Sequence, residues 1–181
     1  MEVDDPHTLD GIAKVQSSLN TTGANLKMVE RENVHLTLKF LGDVRAGLLP
    51  EVINVVSGTS FSPFRMALNG VGVFPHLRRP RVVWAGVNEG ADELSAVFRK
   101  LEPRLVELDF KPESRPFSPH ITIARVRSGR NRDRLVEEIM ALEDTDFGGF
   151  EVRHVKLKKS VLTPRGPIYT DLACSIDSGK A

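Results

Sequence analysis

HLTLKFLGDV at residues 35–44 and HITIARVRSG at 120–129 are two versions of one pattern. Each reads His, apolar, Thr, apolar. Side chains alternate faces along a β-strand. His35 and Thr37 therefore share one face while Leu36 and Leu38 turn into a core. The same parity joins His120 to Thr122 and sets Ile121 and Ile123 behind them. The chain holds five His and nine Thr in 181 residues. A given His has this Thr and apolar setting by chance in roughly 1 % of cases at ordinary composition. Two such hits among five His are therefore a signal. Two copies 85 positions apart predict a pseudo-symmetric pair of lobes facing one cleft.

Outward from the motifs, segments alternate between helix and strand. Asp5-Pro6 reads as a helix start, with Asp as N-cap and Pro in the first turn. Leu9, Ile12, Ala13 and Leu19 follow at roughly helical spacing. Val34, Leu36, Leu38 and Phe40 predict a strand over 33–41. A short helix is expected near 47–57. Strands are expected over 64–73 and 81–87, joined by the turn-rich FPHLRRP. A long helix over 92–108 contains Pro103, which should kink or divide it. His120 to Val126 reads as a strand, and Asn131 as the cap of a helix carrying Leu135, Ile139 and Leu142. Residues 150–158 and 160–176 read as strands interrupted by TPRGP, and the polar stretch 111–118 is the only linker candidate.

Lys and Arg number 25 against 24 Asp and Glu, a net charge of +1. Without a global basic field, contact with nucleic acid must use local patches. RRPR at 78–81, RVRSGRNRDR at 125–134 and RHVKLKK at 153–159 each read as a solvated face or as a track for an RNA backbone. One cysteine, Cys174, excludes an intramolecular disulfide framework and a Cys-based metal cluster, and fits a reducing compartment. No run approaches 18 apolar residues, and MEVDDPHTLD has neither a basic nor an apolar signal region. A soluble cytoplasmic protein without a membrane partner is expected.

Histidine titrates near neutrality, so of two imidazoles one accepts a proton while the other donates one. Each Thr hydroxyl donates to a non-bridging oxygen. Such a set suits phosphodiester cleavage without a metal, because imidazolium and hydroxyl donors hold the developing charge. The sequence has no HExxH, no His pair at zinc spacing, no phosphate-binding Gly loop and no nucleophile elbow. The residues alone leave open which His is acid and which is base.

The paired motifs resemble the two-histidine (2H) phosphoesterase superfamily. Within it, VERENVHLTLKFLGDV at 29–44, GVGVFP at 70–75, VVWAGV at 82–87, FSPHITIARV at 117–126 and LKKSVLTPRGPIY at 157–169 resemble the RNA 2′,3′-cyclic phosphodiesterase, or 2′-5′ RNA ligase, branch. The resemblance implies one bilobal α+β domain over 1–181, with two small, mainly antiparallel sheets lining a cleft and helices outside. It implies hydrolysis of a terminal 2′,3′-cyclic phosphate on RNA, such as a tRNA fragment, to a 2′-phosphate by a monomer. No cofactor and no metal are implied, and 2′-5′ joining is the associated reverse-type reaction. By resemblance, His120 is the general base, His35 the general acid, and Thr37 and Thr122 bind phosphoryl oxygens. Arg125 matches a phosphate-contacting arginine, but its parity is opposite to His120, so it reaches the cleft only if the strand ends or bulges. Phe74 and Trp84 are candidates to stack on a base or to pack the lobe interface.

Two other readings fit the same motif. One is a 2H enzyme acting on a small cyclic nucleotide or a 2′-5′ oligonucleotide. The other is a catalytically idle RNA-binding module, which a matched pair of His and Thr argues against. The chain also departs from the branch at its start. The usual apolar opening strand is not visible before the first helix, which predicts an exposed sheet edge.

Overall fold

The computed structural model describes residues 1–164 and 166–177. Helix α1 spans Pro6–Thr21. Asp5 caps it, its carboxylate accepting from the Thr8 N–H at 2.7 Å, and Ile12, Val15 and Leu19 are its buried stripe. Strand β1 covers Leu26–Met28, and α2 covers Leu49–Ser57 after a 3-10 turn. Strands β2 (Ser60–Phe61), β3 (Phe64–Phe74) and β4 (Val82–Glu89) precede helix α3 (Ala91–Val106). Strand β5 (His120–Val126), helix α4 (Arg132–Ala141) and strands β6 (Asp146–Val152), β7 (Lys156–Thr163), β8 (Gly166–Cys174) and β9 (Ile176–Asp177) complete the order.

The architecture is α+β. Five strands form an antiparallel sheet in the order β1-β5-β4-β3-β6, and β7 and β8 form a separate antiparallel hairpin. The only parallel pair among the described residues is the two-residue β2–β9. Helices α1 and α4 pack against the five-stranded sheet, whereas α2 packs on α3 and on the β7–β8 hairpin. Leu36, Ile121, Ile123, Val83 and Ala85 lie in the shared core, each at most 1 % exposed.

Several expectations need correction. The strand over 33–41 is reduced to bridges at His35 and Leu36, and Phe40 is exposed. Beyond the motif the chain is pulled away by Lys39, whose ammonium pairs with Glu102 of α3 at 2.7 Å in a largely buried contact. Lys39 also donates to the Lys111 carbonyl at 2.8 Å, and Glu102 accepts from the Glu113 N–H at 2.8 Å. The polar stretch 111–118 is thus fastened rather than a free linker, and its Phe117 stacks on Phe98 at 4.7 Å. Pro103 does not divide α3. Its missing N–H costs the helix one bond, while Leu101 and Leu105, buried on either side of it, hold the segment to the core.

Asn131 precedes α4 without capping it. Its backbone is left-handed (φ 51°), and its amide donates to the Thr22 and Gly23 carbonyls instead. At the other end of the chain, residues 1–3 run antiparallel beside 34–36. The Leu36 N–H donates to the Met1 carbonyl at 2.8 Å, and Glu2 bridges His35. The expected exposed edge beside the first motif is therefore covered, with Met1 and Val3 buried.

The apolar backing of the motifs should carry stability. Ile121→Ala leaves a cavity in a fully buried site and should cost about 2–5 kcal/mol. Phe40→Ala removes a ring that is 76 % exposed and should cost less than about 0.5 kcal/mol. Chemical denaturation of both variants measures the contrast.

Candidate active site

The two motifs meet directly. Leu36 bridges Ile121 in antiparallel sense. That register sets His35 opposite Thr122 and Thr37 opposite His120, and side chains opposite each other in an antiparallel pair share a face. Leu36 and Ile121 point away from that face and are 1 % and 0 % exposed. Two imidazoles and two hydroxyls therefore alternate around a local two-fold, all four half-buried. Among the described residues neither threonine hydroxyl has a protein hydrogen-bond partner. Half-buried donors without partners are an arrangement that a bound oxyanion completes.

Both histidines are held in the same way. His35 Nδ1 lies 2.7 Å from the Asn33 carbonyl, and His120 Nδ1 lies 2.8 Å from the Ser118 carbonyl. A carbonyl only accepts, so each Nδ1 carries the proton and each Nε2 is left as the working nitrogen. An aromatic edge fixes each ring as well. Tyr169 of β8 meets His35 with centroids 5.1 Å apart, and Phe74 of β3 meets His120 at 4.8 Å, both nearly perpendicular.

The electrostatic settings differ. Burial pushes His35 below its ordinary value of 6.5, partly offset by the Asn33 carbonyl, and the Lys158 ammonium adds to the lowering. Lys158 belongs to a compact network in which Lys156 and Lys158 both bind Glu2 and Asp171. Hydrogen bonds from the two lysines hold the Asp171 carboxyl below its usual range. The network ties the β7–β8 hairpin to the segment beside His35.

Arg125 joins this face through a bulge. Trp84 of β4 pairs with Thr122, yet the preceding Val83 pairs with Ala124, so Ile123 is an extra residue in β5. Ile123 and Ala124 are accordingly both 0 % exposed, which a regular strand with one open face forbids. Past the bulge the parity is reversed. Arg125, paired with Val82 on β4 and Lys27 on β1, lies on the face of His120 and Thr122 and is exposed.

Phe74 and Trp84 also lie on this face. Their rings are 5.3 Å apart, and Trp84 covers Gly72, where an added Cβ would come within 2.3 Å of the indole. The indole N–H is buried without a partner. The pair thus packs in series behind His120. Sequence reasoning missed Tyr169, the single Tyr of the chain, and the Asn33 and Ser118 carbonyls. The shared spacing of each carbonyl two residues before its His was visible, but its use was not. His76 is exposed, and His154 is half-buried with Nδ1 3.3 Å from the Ser175 carbonyl. Among the described residues no three His, Cys, Asp or Glu side chains gather as metal ligands, and no helix is long and apolar enough to cross a membrane.

The LigT-like phosphoesterase family model matches residues 3–84 and 86–169, which include both motifs. The chain belongs to the LigT-like phosphoesterases. Among members of the family, an RNA 2′,3′-cyclic phosphodiesterase of Methanothermobacter thermautotrophicus is 45 % identical over 165 residues, covering 90 % of this chain and 89 % of the relative. One of the same name from Aeropyrum pernix is 40 % identical over 161 residues, covering 89 % and 92 %. A crystal structure of a Thermus thermophilus protein superposes with a TM-score of 0.78 at 27 % identity, covering 96 % of this chain and 93 % of the other. This LigT-like chain therefore shares the family's 2H fold over nearly its whole length.

The depressed His35 has a consequence for stability. The unfolded imidazole binds a proton more readily than the folded one, so stability falls as pH drops from about 6.5 through the folded midpoint. NMR titration of the imidazole carbons should place His35 below 6.5. Tyr169→Ala, which opens the ring to water, should move the midpoint back up, and an unchanged midpoint contradicts the burial account.

Proposed function

We propose that this protein hydrolyses the 2′,3′-cyclic phosphate end of RNA, including tRNA fragments, to a 2′-phosphate. The observation that carries the reading is the antiparallel meeting of two His–Thr pairs, each imidazole presenting Nε2 to one face. Two relatives of 40–45 % identity bear the name of that activity. The protein acts as a monomer in the cytoplasm, and the lone Cys174 fits such a reducing compartment.

The cyclic phosphate enters between the two imidazoles. Thr37 and Thr122 donate to its non-bridging oxygens, and Arg125 adds a charged donor from beyond the bulge. Nε2 of one neutral imidazole takes a proton from the attacking water. Nε2 of the other, as imidazolium, gives a proton to the departing 3′ oxygen in line with the attack. We assign His120 as base and His35 as acid. Burial disfavours the charged His35 in the free protein, but the phosphate monoanion pairs with it and raises its pKa on binding. No step requires a metal, since the donors and imidazolium hold the charge.

The depressed His35 also favours the reversed assignment, with His35 as base, and the pH profile separates the two. With His35 as acid, its ionisation sets the alkaline limb, which should lie at lower pH in kcat/KM than in kcat. With His35 as base, it sets the acid limb of both.

His35→Ala and His120→Ala should each lower turnover of a cyclic-phosphate RNA by roughly 10²–10⁴. The double variant should lose less than the product of the singles, because the pair acts as a unit. Thr37→Val or Thr122→Val should lower kcat at least about tenfold with the thermal midpoint retained, since Val is a good strand former. Full activity in either His variant overturns the mechanism.

Hydrolysis should persist in excess EDTA. Loss restored specifically by Zn²⁺ or Mn²⁺ overturns the metal-free account.

A further inference from the structure

Two of the three basic stretches come together at one end of the five-stranded sheet. The β3–β4 loop carries Arg78, Arg79 and Arg81, the β5–α4 connection carries Arg127 and Arg130, and α4 opens with Arg132. All six are exposed. The two loops are cross-linked. The Val126 N–H donates to the Arg81 carbonyl at 2.9 Å, and Arg132 Nη1 reaches the Arg78 carbonyl at 3.4 Å. The Arg127 N–H donates to the Asn25 carbonyl at 2.8 Å, and the Asn131 amide is fastened to the Thr22 and Gly23 carbonyls. The loop backbone is therefore built into the fold.

The charge balance there is lopsided. The whole chain has a net charge of +1, yet the only acid within 76–81 and 125–134 is Asp133, which is paired with Arg132 at 2.8 Å. Glu143 borders the same loop beside Arg78. Arg132 and Arg134 sit in the first turn of α4, where positive charge opposes the helix dipole. A clustering that costs stability and is left largely uncompensated calls for an anion from outside.

We propose that this end of the sheet is a platform for the sugar–phosphate backbone of the RNA strand leading away from the cyclic phosphate. The inference rests on the RNA-end reading above and states how the rest of that RNA is held. Strand β5 connects the two places. It begins at His120, carries Arg125 on the same face after the bulge, and ends at Val126 beside the platform. Six residue steps span on the order of 20 Å. A single nucleotide occupies only the His120 end, whereas an oligonucleotide reaches both. Exposed guanidinium groups gathered on two cross-linked segments suit a backbone contacted without base readout.

The test is the triple variant Arg79→Ser/Arg127→Ser/Arg130→Ser, which touches no residue placed in the catalytic set. Binding of a fluorescein-labelled ten-nucleotide RNA with a 2′-phosphate end is measured by anisotropy from 50 to 300 mM salt. Hydrolysis of 2′,3′-cyclic AMP is measured on the same samples. The platform predicts a Kd at least tenfold weaker, a salt slope shallower by about 2, and cyclic AMP turnover within twofold of the parent. The corresponding Lys triple variant should bind within about threefold of the parent, because charge is kept. Unchanged RNA binding and slope in the Ser variant overturns the proposal. Loss of cyclic AMP turnover in step with RNA binding also overturns it, and so does a Lys variant as weak as the Ser variant. If the parent hydrolyses neither cyclic AMP nor a cyclic-phosphate RNA, the activity reading fails instead, and the binding contrast still decides the platform.

Discussion

Everything in this site hangs on one antiparallel bridge, Leu36 to Ile121. Those two side chains are removed from water on one side of the sheet, each burial contributing about 1.5–3 kcal/mol. Because strand side chains alternate, burying Leu36 and Ile121 obliges His35, Thr37, His120 and Thr122 to face the other way. A slip of one residue in either segment would put imidazoles in the core and isoleucine in the cleft. The hydrophobic requirement of the core and the chemical requirement of the site are thus one constraint.

Around that bridge the two histidines are held alike and sit in unlike surroundings. Each His uses Nδ1 on a carbonyl two residues upstream and an aromatic edge on its ring. His35, however, is enclosed by the hairpin and its Lys–Glu–Asp network, while His120 is backed by the tilted Phe74–Trp84 pair. Unequal surroundings of equal groups leave His35 as the one whose charged form burial disfavours. The contacts that produce the inequality come from β3, β7 and β8, far along the chain from either motif.

Much of the fold was legible beforehand. Helix α1 with its Asp5 cap, strands β3, β4 and β5, and the long α3 follow from periodicity and end signals, because in these segments the local pattern and the tertiary environment agree. The failures cluster where a side chain found a distant partner. The Asn131 side chain bonds to the carbonyls after α1 rather than capping its own helix. The alternation of 33–41 suggested a strand, but Lys39 leaves it for Glu102. The polar 111–118 stretch looked like a linker because its fastening comes from groups on α3 and on Lys39.

By itself the sequence determined the two His–Thr pairs and their apolar backing, since residue type and a period of two suffice for that. Only the tertiary structure decided that the motifs touch, with His35 opposite Thr122, and that Tyr169 closes over His35. It also decided the fate of Arg125. Parity along the chain places that residue on the wrong face. The extra residue at Ile123, which shows only in the pairing of β5 with β4, turns it to the right one. A bulge is a property of two strands together, and no period read along one strand contains it.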